Sequence, residues 1–231
     1  FSEKISKVGT HPIIGTQINI NLSDIFGKIS LYATSEKGYK NLTKLSSISY
    51  LKNDGILEPS CNLKDLRENS EDLVLLTGNY KNFFGKLFYK NKLKDFEEIL
   101  NSLKSSFKNR LYIEVQRHNE HQEKNFENYL LNISKSLQIP LIATQEIFYL
   151  DENMYEAHDA LICIGEKNFV DDKNRFRYSN QHYLKSQEEL EQLYSDIPEA
   201  LENNYNFHLR FNFKLKKSKP ILPSIANKES S

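Results

Sequence analysis

The sequence predicts an α/β fold in which a parallel β-sheet packs against helices outside it. One observation supports this prediction directly, and two more show that the chain can form a globular domain. Short apolar segments of strand type alternate with amphipathic helical segments up to residue 150, which is the pattern of a parallel sheet. The 231 residues are enough to bury one sizeable core. Only eight residues are Gly, which excludes collagen-like and linker-like chains. The pattern alone leaves undecided whether the sheet is open or closed into a barrel.

Five segments have the composition of β-strands. Pro12 precedes the first, and the third is ended by Thr77 and Gly78. The last is short and shows no alternation of polar and apolar residues, which indicates burial on both faces. The five predicted strands are residues 13–20, 28–33, 73–76, 111–115 and 140–144.

Helices are predicted where apolar residues recur every three or four positions. Such stripes predict helices at residues 35–51, 93–107 and 152–164, and another in which Phe126, Tyr129, Leu130, Ile133 and Leu137 face inward. Residues 171–178 form a predicted polar turn region. Ser186 and Glu189 have the spacing of a capping box. Pro198 stands at the start of a further helix, where its missing N–H costs nothing.

The pattern divides the chain into three parts. Residues 1–150 carry the predicted strands, and residues 151–213 are helical without further strands. Residues 214–231 contain a basic run and prolines, which is the composition of a linker or a frayed terminus. An apolar stripe of helical spacing begins at Phe1 with no cap before it. We therefore expect the chain to be cut from a longer polypeptide.

Charge and composition restrict the partners and the compartment. The chain has 31 basic and 31 acidic side chains and thus no net charge, which argues against attachment of the whole domain to nucleic acid or to an anionic membrane. No apolar run approaches the ~18 residues of a membrane span, and no secretory signal is evident. Cys61 and Cys163 are too few for a disulfide framework. We expect a soluble, cytoplasmic protein with no membrane partner.

Reactive side chains in folds of this kind lie at the C-terminal ends of the strands. Those positions are residues 15–17, 77–78, 116–118 and 144–146, and they offer one His, one Glu and three Gln. A hydrolytic metal site needs three or more His or carboxylate ligands for each ion, or two ions that share a carboxylate. The motifs GxGxxG, GxxxxGK[ST], GxSxG and HExxH do not occur. These residues alone predict no active site.

The six histidines differ as candidate metal ligands. His118 follows a predicted strand and is the best candidate, although a hydrogen-bonded structural role is the commoner use of such a residue. His121 is expected to be solvated or to cap a helix. His158 could pair with Asp159, but a polar contact in helix packing is commoner. The other three stand isolated in the sequence and are His11, His182 and His208.

Two further groups have an ordinary structural explanation. Cys163 lies on a predicted apolar helix face and is expected to be a small buried hydrophobe. Asp171 and Asp172 could hold a cation, but a solvated cluster of ion pairs with the basic residues at 173–177 is commoner.

Short motifs along nearly the whole chain resemble the PHP (polymerase and histidinol phosphatase) domain of the bacterial DNA polymerase III alpha subunit, in the same order and with similar gaps. The motifs are PIIGTQ at 12–17, LYA at 31–33, GYKNL at 38–42, QRH at 116–118, PLIAT at 140–144, EAHDA at 156–160, YLKS at 183–186, DIPEAL at 196–201 and KPILP at 219–223. Residues 183–223 resemble the connection toward the polymerase palm, which favours the alpha subunit over stand-alone PHP phosphatases.

The resemblance implies a distorted, TIM-like β/α barrel that here lacks its first strands, then a helical C-terminal segment and a linker toward the palm. In active members of the family the barrel rim binds a cluster of metal ions and can hydrolyse phosphodiesters. The strands with the family's His-x-His and Asp-His ligands would precede Phe1. The parent protein is implied to be a DNA-directed DNA polymerase, a nucleotidyltransferase whose catalytic carboxylates lie outside these residues.

Four positions correspond to the family's metal site. Gln17 stands where the family has a carboxylate, and His118 matches a family histidine. Glu146 and Phe148 stand where the family's Thr-Asn-Asp-x-His run has its Asp and its His. Because an amide is a poor ligand and a phenyl ring has no lone pair to donate, the resemblance implies a catalytically silent domain without metal or other cofactor.

The resemblance also implies the partners. Silent members of the family are thought to support the polymerase structurally and to dock the separate proofreading 3'-5' exonuclease subunit. Other replicase subunits are implied as well, and DNA through the parent polymerase. The alternative is a metal-dependent phosphoesterase or exonuclease that relies on His118, Glu146 and ligands from before Phe1.

Overall fold

The computed structural model describes residues 2–52 and 58–215, and its centre is a five-stranded sheet with the strands in chain order. The strands are β1 Gly15–Leu22, β2 Ile25–Ala33, β3 Leu73–Leu76, β4 Leu111–Gln116 and β5 Leu141–Thr144. All five predicted strands are confirmed, with small differences at their ends. Most of the linker predicted at 214–231 lies outside the described residues.

The sheet is mixed, so the prediction of a wholly parallel sheet is wrong. The β1–β2 and β2–β3 pairs are antiparallel, whereas the β3–β4 and β4–β5 pairs are parallel. Only Ser23 and Asp24 connect β1 to β2. Such a short connection can form only a hairpin, because a parallel pair needs a crossover of about a dozen residues or more. Ser23 has a φ of 54°, which provides the tight turn.

Within the described residues the sheet is open, with β1 and β5 at its edges. These five strands therefore do not form the closed barrel that the resemblance implies. At the β5 edge, the side-chain amides of Asn203 and Asn204 donate hydrogen bonds to the carbonyls of Leu141 and Ala143, at 2.8 and 2.7 Å. Side chains from the C-terminal part of the chain thus satisfy backbone acceptors of this edge strand.

The described residues form nine α-helices, most of which were predicted. They are α1 Ser2–Lys7, α2 Glu36–Leu51, α3 Leu63–Glu68, α4 Phe83–Tyr89, α5 Leu93–Phe107, α6 Glu123–Leu137, α7 Tyr155–Glu166, α8 Gln187–Leu193 and α9 Pro198–Phe207. The short helices α3 and α4 lie outside the predictions because so few residues show no repeating apolar stripe. No helix within residues 2–52 or 58–215 has the length and apolar composition needed to cross a membrane.

The two faces of the sheet bury different side chains, because side chains alternate along a strand. One face packs against helices. Its core includes the predicted stripes of α5 and α6, with Phe96, Ile99, Leu100, Leu103, Phe107, Phe126, Leu130 and Ile133 all buried. The capping box of Ser186 and Glu189 is also present, at the start of α8.

The opposite face is apolar at one end and polar at the other. The apolar end is formed by Tyr32, Val74, Leu76, Tyr112, Ile142, Phe207 and Phe211. Toward the C-terminal ends of the parallel strands, the same face carries Glu114, Gln116 and Thr144. We call this second region the polar end of the sheet.

Gly38, in the first turns of α2, lies directly against the backbone of Asp72. A Cβ atom at Gly38 would lie 2.1 Å from the Asp72 carbonyl oxygen, so Gly38→Ala should reduce the free energy of unfolding by about 1–3 kcal/mol. Gly165→Ala in α7 is the control, since a Cβ there meets no atom within 4 Å. Pulse proteolysis in urea of the full-length polypeptide measures both changes. Equal urea midpoints for the two variants would contradict the predicted clash.

Candidate functional site

A buried carboxylate organises the polar end of the sheet. Glu114, in β4, is 5% exposed. Its carboxylate accepts hydrogen bonds from the Gly78 N–H at 2.9 Å, from Gln116 Nε2 at 2.8 Å, and from the Thr144 hydroxyl. Burial raises the pKa of Glu114, and these hydrogen bonds oppose the increase. Sequence reasoning missed this residue, although a single charge inside an otherwise apolar strand was the signal that could have found it.

His118 follows β4 and is buried, and the protein engages both of its ring nitrogens. Nε2 lies 3.1 Å from the backbone nitrogen of Glu146. Because that N–H can only donate, Nε2 is the acceptor and the ring proton is assigned to Nδ1. Nδ1 lies 3.2 Å from Oε1 of Glu123. The lone pair that a metal would need is therefore already used by the backbone.

Glu123, at the start of α6, fixes the position of this histidine. Its carboxylate accepts hydrogen bonds from the His118 backbone N–H, at 2.8 and 3.0 Å, and from the Glu120 N–H at 3.0 Å. Burial acts to raise the pKa of Glu123, but the hydrogen bonds from His118 and from the Glu120 N–H outweigh it and lower the pKa. The carboxylate is thus held as an anion and orients both the loop and the imidazole.

Four stacked rings form a continuous ring column, which consists of His118, His182, Phe148 and His158. The His118 and His182 rings stack with centroids 4.1 Å apart and an interplanar angle of 3°. Phe148 stacks on His182 at 4.9 Å and on His158 at 5.1 Å. Tyr178 packs against Phe148 at 4.6 Å. The phenyl ring of Phe148 thus lies between two imidazoles.

His182 is not isolated, which corrects the prediction from sequence. It is buried, and its Nδ1 lies 3.0 Å from the carbonyl oxygen of Glu146 while Nε2 lies 3.4 Å from Oε1 of Glu120. Thirty-six residues separate His182 from Glu146, so no local motif in the sequence could have revealed the contact. The backbone of Glu146 therefore contacts both His118 and His182.

Gln17 and Glu146 line one cleft of about 360 Å³. The same cleft is lined by three lysines, Lys28, Lys81 and Lys86. The structure therefore brings two of the four predicted site positions together in the cleft, and places the other two, His118 and Phe148, in the ring column. Burial lowers the pKa of Lys81, whose Nζ lies 2.8 Å from Glu120 Oε2.

These residues do not fit a metal cluster. The Nε2 lone pair of His118 accepts a backbone hydrogen bond, and Phe148 has no donor atom. The Gln17 amide is neutral and lies 3.4 Å from the Ser30 hydroxyl. Nowhere in residues 2–52 and 58–215 do three or more His, Cys, Asp or Glu side chains converge as a set that could hold a metal ion. The three lysines of the cleft outnumber its two carboxylates, Glu58 and Glu146, which disfavours a cation further.

Asp159 forms an ion pair with Arg175 rather than with His158. The guanidinium of Arg175 donates to both oxygens of Asp159, at 2.6 Å for the longer bond, and both side chains are almost fully buried. The predicted cluster of Asp171 and Asp172 with the basic residues at 173–177 is therefore wrong for Arg175. Asp172 instead accepts a hydrogen bond from a backbone N–H at 2.8 Å.

The remaining candidates have simple surroundings. Cys163 is buried, as predicted. His11, His121 and His208 are exposed. Burial, followed by the neighbouring His182, lowers the pKa of His158.

Arg117, beside His118, fastens the helical C-terminal part to the sheet. Its guanidinium binds Asp196 at 2.7 and 2.8 Å and also forms two hydrogen bonds with Glu127. Its backbone N–H donates at 3.0 Å to the hydroxyl of Tyr194, which is fully buried and donates to the Thr144 carbonyl. These ion pairs raise the pKa of Arg117. The residues after β4 therefore act mainly as a structural joint.

The sequence of this chain is similar to those of known proteins. The sequence model of one family, described as the PHP domain, matches residues 1–118. The chain belongs to the PHP domain family. The match contains β1 to β4 and ends at His118, so it includes Gln17 and the buried Glu114.

The PHP chain is also similar to much longer proteins. It is 35% identical to DNA polymerase III subunit alpha of Rickettsia bellii over 226 residues, which are 97% of the chain and 19% of that protein. Identity is 33% over 232 residues with the protein of the same name from Caulobacter vibrioides, covering 97% and 20%. With that of Borreliella burgdorferi it is 34% over 237 residues, covering 96% and 20%. The chain thus spans about a fifth of these relatives.

The Asp159–Arg175 pair should make stability depend on pH. Hydrogen bonding from Arg175 lowers the pKa of Asp159 below its ordinary value, so the stabilisation is complete above the unfolded pKa of about 3.9 and is lost as the pH falls through the lower folded value. Asp159→Asn should cost about 3 kcal/mol at pH 7. Urea midpoints measured from about pH 7 to about pH 3 should show this difference shrinking in acid.

Asp171→Asn is the control, because Asp171 is exposed. It should change the midpoint little at any pH. A difference between the native protein and the Asp159→Asn variant that stays constant down to about pH 3 would contradict the assigned ion pair.

Proposed function

We propose that this chain is a catalytically silent PHP domain of a replicative, cytoplasmic DNA polymerase alpha subunit, and that it docks the proofreading 3'-5' exonuclease subunit as a scaffold. The similarity to several polymerase III alpha subunits over nearly the whole chain supports the replication context. The hydrogen bond from the Glu146 N–H to His118 Nε2 carries the proposal of silence.

The geometry supports silence in a further way. A phosphodiesterase of this family would need charge or imidazole where the structure has Gln17 and Phe148. Phe148 is stacked between His182 and His158. A side chain at this position could bind a metal only if the ring column opened. The contacts of the ring column therefore favour a rigid structural role for this part of the protein.

The alternative function is a metal-dependent phosphoesterase or exonuclease. Two carboxylates favour it, since Glu146 lines the cleft and Glu114 lies at the same end of the sheet. Glu114 accepts three hydrogen bonds within the protein, and its raised pKa reduces its value as an anionic ligand. For these reasons the silent scaffold is the better-supported function.

Metal analysis of the purified full-length polypeptide separates the two functions. We expect no stoichiometric zinc, manganese or iron by mass spectrometry after dialysis. His118→Ala should leave the metal content unchanged but cost about 1–3 kcal/mol of stability, because the Glu146 N–H would lose its buried acceptor. His208→Ala, at an exposed histidine, serves as control. Stoichiometric metal that disappears in His118→Ala would establish the alternative function instead.

Docking is tested by size-exclusion chromatography with the exonuclease subunit of the same organism. The full-length polypeptide should co-elute with it, and a polypeptide lacking residues 1–215 should not, while primer extension confirms that the truncated enzyme is folded. A chelator should leave the complex intact, since the docking surface is proposed to contain no metal. Unchanged co-elution of the truncated polypeptide would refute the docking role.

A further inference from the structure

A groove lies between the β1–β2 hairpin turn and helix α4, next to the cleft of Gln17 and Glu146, with which it shares Phe26 and Lys86. It has a volume of about 450 Å³ and is lined by Asp24, Ile25, Phe26, Lys86, Tyr89 and Lys90, which we call the hairpin groove. Its floor is apolar: Ile25 is buried, Phe26 is half-buried, and the ring of Tyr89 is 41% exposed. An exposed aromatic ring beside apolar side chains is the kind of surface that anchors an apolar side chain of a partner.

The rim of the hairpin groove has more cationic than anionic groups. Lys90 and Lys92 both bind the single carboxylate of Asp24, with Lys90 at 3.1 Å. The Nζ of Lys86 donates to the carbonyl oxygen of Phe26 at 2.7 Å, and among the described residues it forms no ion pair. The rim therefore carries three ammonium groups and one carboxylate, and only Lys90 and Lys92 contact that carboxylate.

The charge of Asp24 is fully committed to this rim. Hydrogen bonds from Lys92 and then Lys90 lower the pKa of Asp24 to about 2. Asp24 thus occupies positions on two lysines that another carboxylate could take. The side chains of Asp24 and Lys90 remain 55% and 48% exposed, so a second carboxylate can reach this rim from solvent.

We infer that the hairpin groove binds an acidic segment of a partner protein, whose apolar side chain enters the groove while its carboxylates contact Lys86, Lys90 and Lys92. This inference rests on the docking role proposed above and names the chemistry of the docked segment. Charge complementarity of this kind selects the partner and speeds its association. A nucleic acid strand suits the groove less well, because its phosphates require a continuous basic track and Asp24 stands at the rim.

The test uses the full-length polypeptide and a fluorescent synthetic peptide in which Leu and Phe alternate with Asp and Glu. Fluorescence anisotropy should show saturable binding that weakens as ionic strength rises from about 50 to about 300 mM. Lys86→Glu with Lys90→Glu should weaken binding at least about tenfold. Asp24→Asn should strengthen it about threefold, because it removes the competing carboxylate.

The controls match the variants in spacing and charge. Lys40→Glu with Lys44→Glu reverses two lysines four residues apart on α2, which does not line the groove, and should leave binding unchanged. Lys86→Gln with Lys90→Gln removes the charges but keeps side chains that can donate hydrogen bonds, and should still weaken binding. A peptide with Lys and Arg in place of Asp and Glu should not bind.

Three outcomes would overturn the inference: no binding of the acidic peptide, equal binding by the groove and control variants, or tighter binding of an oligothymidylate that the Lys86 and Lys90 variants abolish. Failure of the docking role is distinguishable from these, since it requires that the unaltered polypeptide does not co-elute with the exonuclease subunit. Exonuclease binding that persists while peptide binding is insensitive to the groove variants refutes the hairpin groove alone.

Discussion

The hydrogen bond between the Glu146 backbone N–H and Nε2 of His118 determines what the polar end of the sheet can do. A buried imidazole must satisfy both of its nitrogens, and here the second one faces Glu123. The two bonds join the end of β4, the start of α6 and the segment after β5. Glu146 also contacts His182 through its backbone carbonyl. The backbone of this one residue therefore orients the His118 and His182 rings of the column. The His118 ring therefore connects these three parts of the structure, and its Nε2 is already occupied by a backbone hydrogen bond.

The neighbouring residue performs a different connection in the same loop. Arg117 spans from β4 to the helical C-terminal part through Asp196 and the buried Tyr194. A partly buried guanidinium with two carboxylate partners is costly to separate from either of them. Consecutive residues of the QRH segment thus fasten two different parts of the chain. Arg117 acts together with the amides of Asn203 and Asn204 and the packing of Phe207 and Phe211 to hold the C-terminal part to the sheet. Arg117 and His118, which follow β4, thus both carry contacts that join separate parts of the fold.

Much of the fold could be predicted from the sequence, because strands and long helices show a regular spacing of apolar residues. The stripe of α5 is an example, since Phe96, Ile99 and Leu103 are buried as their spacing requires. Strand direction was harder. The β1–β2 hairpin turns at Ser23 and Asp24. The sequence did not reveal this turn, because Ser lacks the strong turn preference of Gly or Asn.

The site was less predictable because its partners are distant in the chain. Gln17, His118, Glu146 and Phe148 were found through their motifs, but the role of His118 depends on Glu123 and on a backbone N–H that no side-chain pattern reveals. The pairing of Asp159 with Arg175 and the stacking of His182 likewise depend on how loops fold back over the sheet. The amides of Asn203 and Asn204 on strand β5 have a consequence of another kind. They protect this strand against edge-to-edge aggregation with other copies of the protein, because backbone acceptors that an incoming strand would need are already occupied.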